Sequence, residues 1–305
     1  MRLSTARSLA GLIVGALGML VTMAAHPASP PGFKPPDKLP QNSEELKKFL
    51  DRQPYEIGFF AKNLGNGKSI ERLADRPVCL ASIVKLFCLA ELYRQKHEKA
   101  LDLNQNLDVA DQGTMTLTRA ADLMIGRSDN AATQALTEFL GRENVNRIPS
   151  LLGLQSMSDD ILPSEKEFAK MLDRRIAGGR AGKLSLPQHG TARAMAQFLE
   201  LLLNNKVFSE AISADLVSFL SAHPMPYSNT YAGRYEFAGK GGNLVWTRPP
   251  KHYSMMGWAL FMKTPSGNSI VLCVWGEWFP ENMSSDQQSE FLKYVTDSLI
   301  SIEES

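Results

Sequence analysis

Two residues able to do nucleophilic chemistry open an otherwise apolar stretch. Ser82 and Lys85 stand three residues apart in Cys79-Leu80-Ala81-Ser82-Ile83-Val84-Lys85-Leu86-Phe87-Cys88-Leu89-Ala90-Glu91-Leu92-Tyr93. Wound as a helix, this stretch is apolar on nearly every side, the pattern of a helix buried inside a domain. Residues three apart share a helix face, so hydroxyl and amine lie side by side. Burial disfavours the ammonium and pulls a lysine pKa down. A near-neutral amine can take the serine proton and make Ser82 a nucleophile. Backbone N–H groups and the positive dipole at a helix start suit a developing oxyanion. A lone Ser-x-x-Lys has a plainer and commoner explanation, a serine N-cap followed by a lysine whose stem lies along apolar surface.

Two further groups change that balance. Ser128-Asp129-Asn130 falls between two helical stretches. It reads either as a simple N-cap or as a cleft wall where Ser128 relays a proton to a leaving group and Asn130 holds a substrate amide. Lys240-Gly241-Gly242 ends or crosses a strand. It is either a strand entering a glycine turn or a cationic strand edge that pairs with an extended substrate.

The order Ser-x-x-Lys, Ser-Asp-Asn, Lys-x-Gly is that of class A β-lactamases and penicillin-binding proteins. From about residue 55 to 302 the chain resembles that superfamily, class A β-lactamases most closely, in its motifs and in the order of its elements. The resemblance implies that Ser82 is acylated, that Lys85 is its proton partner and that Ser128 protonates the leaving nitrogen. It implies that Asn130 binds the acyl side-chain amide and that Lys240 places a substrate carboxylate and tunes Ser128. Gly242 completes the Lys-x-Gly motif. The N–H groups of Ser82 and Asn243 would form the oxyanion hole, and Arg248 would assist with the carboxylate. Three departures accompany the likeness. Gly241 stands where the family has a threonine or serine, which removes a hydroxyl from the carboxylate site. The connection from Lys85 to Ser128 is shorter than usual. The Glu-x-x-Leu-Asn motif, whose glutamate activates the deacylating water, is absent. Glu165 and Glu167 alone lie in its neighbourhood, with an insertion before residue 191, and Glu165 is taken as the candidate base. A glutamate beside a lysine on an amphipathic stretch is more commonly a solvated face.

The positioning elements follow from pattern. A helix is expected over 43–50 with Ser43 as N-cap, then strands over 55–62 and 69–73 joined by a Gly65-Asn66-Gly67 turn. After the Ser82 helix, 104–113 reads as a polar connection. Helices are expected over 116–125, from 130 to Leu140, within 144–153, over 165–175, 191–204 and 209–222, with a loop at 177–190. Strands over 235–240, 253–262 and 269–275 precede a last helix over 284–302. Strands at both ends enclosing a helical middle predict an α+β fold, an α/β/α sandwich with one antiparallel sheet, terminal helices on it, an all-helical lobe and the active site between them.

The 305 residues are 44% hydrophobic and 21% charged, enough for a sizeable core. A net charge of +1 gives no reason to expect nucleic acid as a partner. The five histidines are scattered without zinc-ligand spacing, so neither a metal nor another cofactor is expected. Residues 1–25 read as an export signal, with Arg2 and Arg7 before an uncharged apolar run and small residues after it. An uncleaved anchor is the alternative. Residues 26–42 form a proline-rich linker and 43–305 the hydrolase domain. The protein is expected outside the cytoplasm, periplasmic or secreted, membrane-bound only through that first segment, and monomeric. Cys79, Cys88 and Cys273 allow at most one disulfide and are as well explained as buried thiols. The function expected is a serine hydrolase that opens β-lactams through an acyl-enzyme on Ser82 and deacylates slowly. A D-alanyl-D-alanine peptidase or other amide or ester hydrolase, and a penicillin-binding sensor or trap, remain alternatives.

Overall fold

The computed structural model describes residues 33, 35–163, 165–178, 188–225, 235–248, 251–264 and 267–304. The segment expected as an export signal, and the central part of the 177–190 loop, lie outside them.

The sheet is built from strands that can be buried on both faces. β1 (Glu56–Asn63) and β9 (Ser269–Glu277) are almost wholly buried. They pair with each other in the middle of a five-stranded antiparallel sheet of order β2-β1-β9-β8-β7. β2 (Ser69–Arg72) and β7 (Glu236–Arg248) are the edges, and β8 (Lys251–Lys263) joins β7 to β9. Successive side chains on a strand point to opposite faces. Ile57, Phe59 and Ala61 therefore meet α1 (Ser43–Asp51) and α10 (Ser285–Glu304) through Leu46, Leu50, Phe291, Val295 and Leu299. Phe60, Ala259, Phe261 and Cys273 point the other way, into a larger core shared with α8 (Ala192–Leu203) and the helical lobe. The expected sandwich is the one observed.

The lobe surrounds α2 (Lys85–His97), in which every residue from Lys85 to Tyr93 is buried. α3 (Leu117–Gly126), α4 (Asn130–Leu140), α5 (Arg142–Asn146), α6 (Ile148–Leu151) and α9 (Glu210–Ala222) pack around it.

Four local readings are corrected. The cap of α1 is Asn42, whose side chain accepts from Glu45 N–H at 3.0 Å, while Glu45 reaches back to Gln41 N–H. The cap lies one residue earlier than expected, and the return bond goes to the residue before it, a variant of the capping box. The polar connection is instead a ribbon, β4 (Asn106–Val109) paired with β5 (Gly113–Thr116), so the lobe is not wholly helical. Its polar residues face out, while Leu107 and Val109 are buried. β7 runs on past its glycines to Arg248, because β8 pairs with it along the whole length. The proline-rich tract is tied down at its end, where Phe33 packs edge-on against Phe291 and Lys38 carbonyl accepts from Tyr294. The three cysteines are all buried and unpaired.

The inserted helix α7 (Glu165–Gly178) is anchored by charge. Arg175 Nη2 lies 3.4 Å from Glu277 Oε2, with both side chains almost fully buried. Tyr253 hydroxyl donates to Glu277 Oε1 at 2.5 Å, and Trp278 covers the guanidinium at 5.1 Å. Removing one partner of a buried ion pair leaves a desolvated charge without its counter-ion. Glu277→Ala is expected to lower unfolding free energy by about 3–5 kcal/mol, measured by urea denaturation.

Candidate functional site

Ser82 is presented by a tight turn. β3 (Val78–Cys79) pairs with β6 (His189–Gly190), and Leu80 N–H donates to Gln188 carbonyl at 3.0 Å. The chain then reverses at Ala81, whose φ of 46° is left-handed. A left-handed residue without glycine's freedom costs on the order of 1–3 kcal/mol, and such positions cluster at functional sites. A single 3-10 turn, Ala81–Val84, follows and runs into α2. With three residues per turn, Ser82 and Lys85 eclipse on one face. The pairing expected of a regular helix is thus produced by a tighter one.

Lys85 is 3% exposed. Its Nζ donates to Asn130 Oδ1 at 2.8 Å, to Ser128 carbonyl at 2.5 Å and Ser128 Oγ at 3.3 Å, and to Asp129 carbonyl at 3.4 Å. Every one of these acceptors belongs to the 128–130 turn, and none is Ser82 Oγ. The amine that sequence spacing assigns to Ser82 is thus hydrogen-bonded to the 128–130 turn across from it. Burial, helped by the Lys240 charge, lowers its pKa to about 7. Asp129 and Cys88 oppose the shift.

The 128–130 turn is itself strained and pinned. Ser128 has a φ of 56°. Asp129 caps α4 by accepting from Ala132 N–H at 2.7 Å, and its own N–H donates to Leu123 carbonyl. From the sheet, Lys240 Nζ donates to Ser128 Oγ at 3.0 Å and to Gly241 carbonyl at 2.8 Å. Lys240 is also buried, which lowers its pKa to about 8. Ser128 Oγ thus lies between two amines whose protons are loosely held near neutrality.

β7 closes the site because Gly242 lacks a side chain. Lys240 and Gly242 share one face of the strand. At Gly242 a Cβ would stand 2.6 Å from Leu80 carbonyl and 3.0 Å from Ser82 nitrogen. Only glycine lets the strand lie against the Ser82 turn. Asn243 follows on the exposed edge of β7, where alternate N–H groups point away from β8. At Gly241 a Cβ would stand 3.6 Å from Met225 Cε, an ordinary contact.

The structure brings Ser82, Lys85, Ser128, Asn130, Lys240, Gly242 and Asn243 together. Glu165 opens α7 and Arg248 ends β7, and the side chains of both lie outside the described residues. Glu167 is exposed on α7. Sequence reasoning passed over Gln112, at the tip of the β4–β5 ribbon, whose Nε2 donates to Asp129 Oδ2 at 2.9 Å. Alternating Leu107 and Val109 before Asp111-Gln112-Gly113 was the available signal. It also passed over Met225 beside Gly241, for which no local pattern speaks.

The two glycines separate by substitution. Gly242→Ala should lower the unfolding free energy by about 1–3 kcal/mol, the usual range for overpacking. Gly241→Ala should leave thermal denaturation nearly unchanged.

The family model described as the β-lactamase enzyme family matches residues 41–244, more than half of the chain. No curated protein sequence matches. Among solved structures the chain is similar to the β-lactamase from Sphaerobacter thermophilus DSM 20745, with TM-score 0.65 and 18% identity over 84% of this chain and 94% of that one. It is similar to PBP-A, with TM-score 0.67 and 18% identity over 87% and 98% of the two chains. It is likewise similar to a β-lactamase from Burkholderia vietnamiensis, with TM-score 0.67 and 18% identity over 84% and 93%. At these identities the structural likeness carries the fold, while the family match carries descent. The chain belongs to the β-lactamase enzyme family.

Proposed function

We propose that this family member is a serine hydrolase that opens β-lactams, or related peptidoglycan-type amides, through an acyl-enzyme on Ser82, and that it deacylates slowly. The observation carrying the first half is the convergence of two buried lysines on Ser128 Oγ next to the Ser82 turn. In acylation the neutral Lys85 amine takes the proton of Ser82 Oγ, swinging its flexible stem from the 128–130 turn. The freed oxygen attacks the carbonyl carbon, and its negative charge develops against the N–H groups of Ser82 and Asn243. The C–N bond then breaks. Ser128 gives its proton to the leaving nitrogen and is reprotonated from the lysine side, so the proton count is unchanged. Because Lys85 must be neutral to act, acylation rises with pH through about 7. The Lys240 ammonium holds the anionic end of the substrate, and that contribution is lost above about 8. Asn130 holds the acyl amide. Residues 1–25 would export the protein to the compartment where such substrates occur.

Slow deacylation rests on what the site's carboxylates do. Hydrolysis of the ester needs a base within hydrogen-bond reach of a water, a contribution of about a hundred- to ten-thousand-fold. Among the described residues no carboxylate side chain is hydrogen-bonded to Ser82 or Lys85, and Asp129 is occupied in capping α4. The chain has no Glu-x-x-Leu-Asn, and Glu165 on α7 is the base this reading leaves. A substituted PBP-A has been solved as an acyl-enzyme with penicillin G. That supports a second reading for this chain, a penicillin-binding protein that forms the adduct and keeps it.

The experiment mixes purified protein with a chromogenic cephalosporin and follows product and intact mass together. The expected result is a burst about equal to the enzyme concentration, a mass adduct mapping to Ser82, and a slow second phase. Ser82→Ala should show neither burst nor adduct. Turnover without a burst, or an adduct on another residue, contradicts the proposal.

A further inference from the structure

The 128–130 turn holds all four acceptors of Lys85: the Ser128 carbonyl and Oγ, the Asp129 carbonyl and Asn130 Oδ1. Its geometry therefore decides where the amine sits. On the α4 side the turn is fixed by the cap from Asp129 Oδ1 to Ala132 N–H. Lys85 and Lys240 reach the turn at Ser128 and its neighbours, and Gln112 reaches it at Asp129, its Nε2 donating to Asp129 Oδ2 at 2.9 Å. Gln112 belongs to the reversal of the β4–β5 ribbon. There Asp111 and Gly113 are left-handed, with φ of 61° and 79°, and Gln112 N–H donates to Val109 carbonyl. The ribbon is in turn fastened to the lobe, since Leu117 and Thr118 donate to the carbonyls of Gln105 and Leu103. The tip is thus a built arm, and its last contact is with the one carboxylate of the motif. That carboxylate is held low in pKa, first by the Ala132 N–H and also by Gln112 and Lys85.

We propose that Gln112 is a positioning residue: it ties the β4–β5 ribbon to Asp129 and so fixes how Ser128 and Asn130 face Lys85. It touches neither Ser82 nor the reacting atoms. The amide is the fitting group for this task, because a neutral donor holds the carboxylate without cancelling its charge. The charged and titratable groups facing Lys85 are Asp129 from the turn, Lys240 from β7 and Cys88 from its own helix. Those facing Asp129 are Lys85 and, through its amide, Gln112. A carboxylate at position 112 would repel Asp129 and add negative charge beside Lys85, which favours the ammonium and moves its titration upward.

This inference rests on acylation at Ser82, and its test separates the two. Gln112→Ala, Gln112→Asn and Gln112→Glu are compared with wild type by single-turnover acylation with the chromogenic cephalosporin between pH 5.5 and 9 (a range of about two units around the lysine titration). Amide hydrogen exchange of the 128–133 backbone is followed without substrate. Gln112 is exposed, so the variants should fold and melt as wild type does. Gln112→Ala is expected to slow acylation by about tenfold to a hundredfold, the scale of a small displacement of a reacting group, and to speed exchange in the turn. Gln112→Asn should recover part of the rate. Gln112→Glu should shift the acidic limb to higher pH. Unchanged acylation rates, limb and exchange in Gln112→Ala and Gln112→Glu overturn the inference. If wild type itself forms no adduct, the acyl-enzyme reading fails instead. Exchange then still decides the tether, with unchanged protection in Gln112→Ala overturning it.

Discussion

The burial of the Lys85 ammonium is the constraint on which the site depends. An amine 3% exposed has almost no water to hydrate it, and an uncompensated buried charge is among the costliest features a fold can carry. Relief comes from the 128–130 turn, whose carbonyls, hydroxyl and amide converge on Nζ. Relief is incomplete because Lys240 brings a second cation to the same hydroxyl. The result is an amine that holds its proton weakly. The unfolded chain keeps that proton from about pH 7 up to the ordinary lysine range, whereas the folded chain sheds it. Folding is therefore less favourable as pH falls toward 7, and below it the penalty is fully present. The protein carries this penalty, with left-handed Ala81 and Ser128 beside it, on a sheet and lobe well able to bear it. Residues 85–93 of α2 are buried without a break, and the central strands have hydrophobic partners on both faces.

Much of this was legible from residue order. Strands over 55–62 and 269–275 and a buried helix after Ser82 were expected and are found there, and the near-continuous apolar runs of β1 and β9 fit their central, doubly covered places. Ser82, Lys85, Ser128, Asn130 and Lys240 were named from motif spacing, and they converge because the cleft runs between lobe and sheet edge. What escaped was set by contacts between distant segments. The β4–β5 ribbon has two short strands with one buried face each, and its polar residues outnumber the apolar ones. The extension of β7 past Gly241 and Gly242 is imposed by β8, against the local tendency of glycine to weaken a strand. The 3-10 turn at Ser82 is entered from the β3–β6 ladder through Leu80, a pairing of segments over a hundred residues apart.

The insertion between the lobe and α8 shows the same division. Its helical character was visible over 165–175, but not its anchor. Arg175 reaches across to Glu277, distant in sequence, and the pair is buried with Tyr253. A charged residue on an amphipathic stretch reads as a solvated face until its partner is known. The chain lacks Glu-x-x-Leu-Asn, and the stretch after the lobe is a helix fastened near its far end by Arg175. Under the acyl-enzyme reading proposed above, the departure from the family's pattern falls on the second step, deacylation.

The central claim is that Lys85 holds its proton weakly inside the folded site. The direct measurement is an NMR titration of lysine side-chain resonances, with Lys85 assigned through Lys85→Arg. The account predicts a midpoint near 7 for Lys85, with the Lys240 signal following at higher pH. A Lys85 midpoint in the ordinary lysine range, about 10.4, would contradict it.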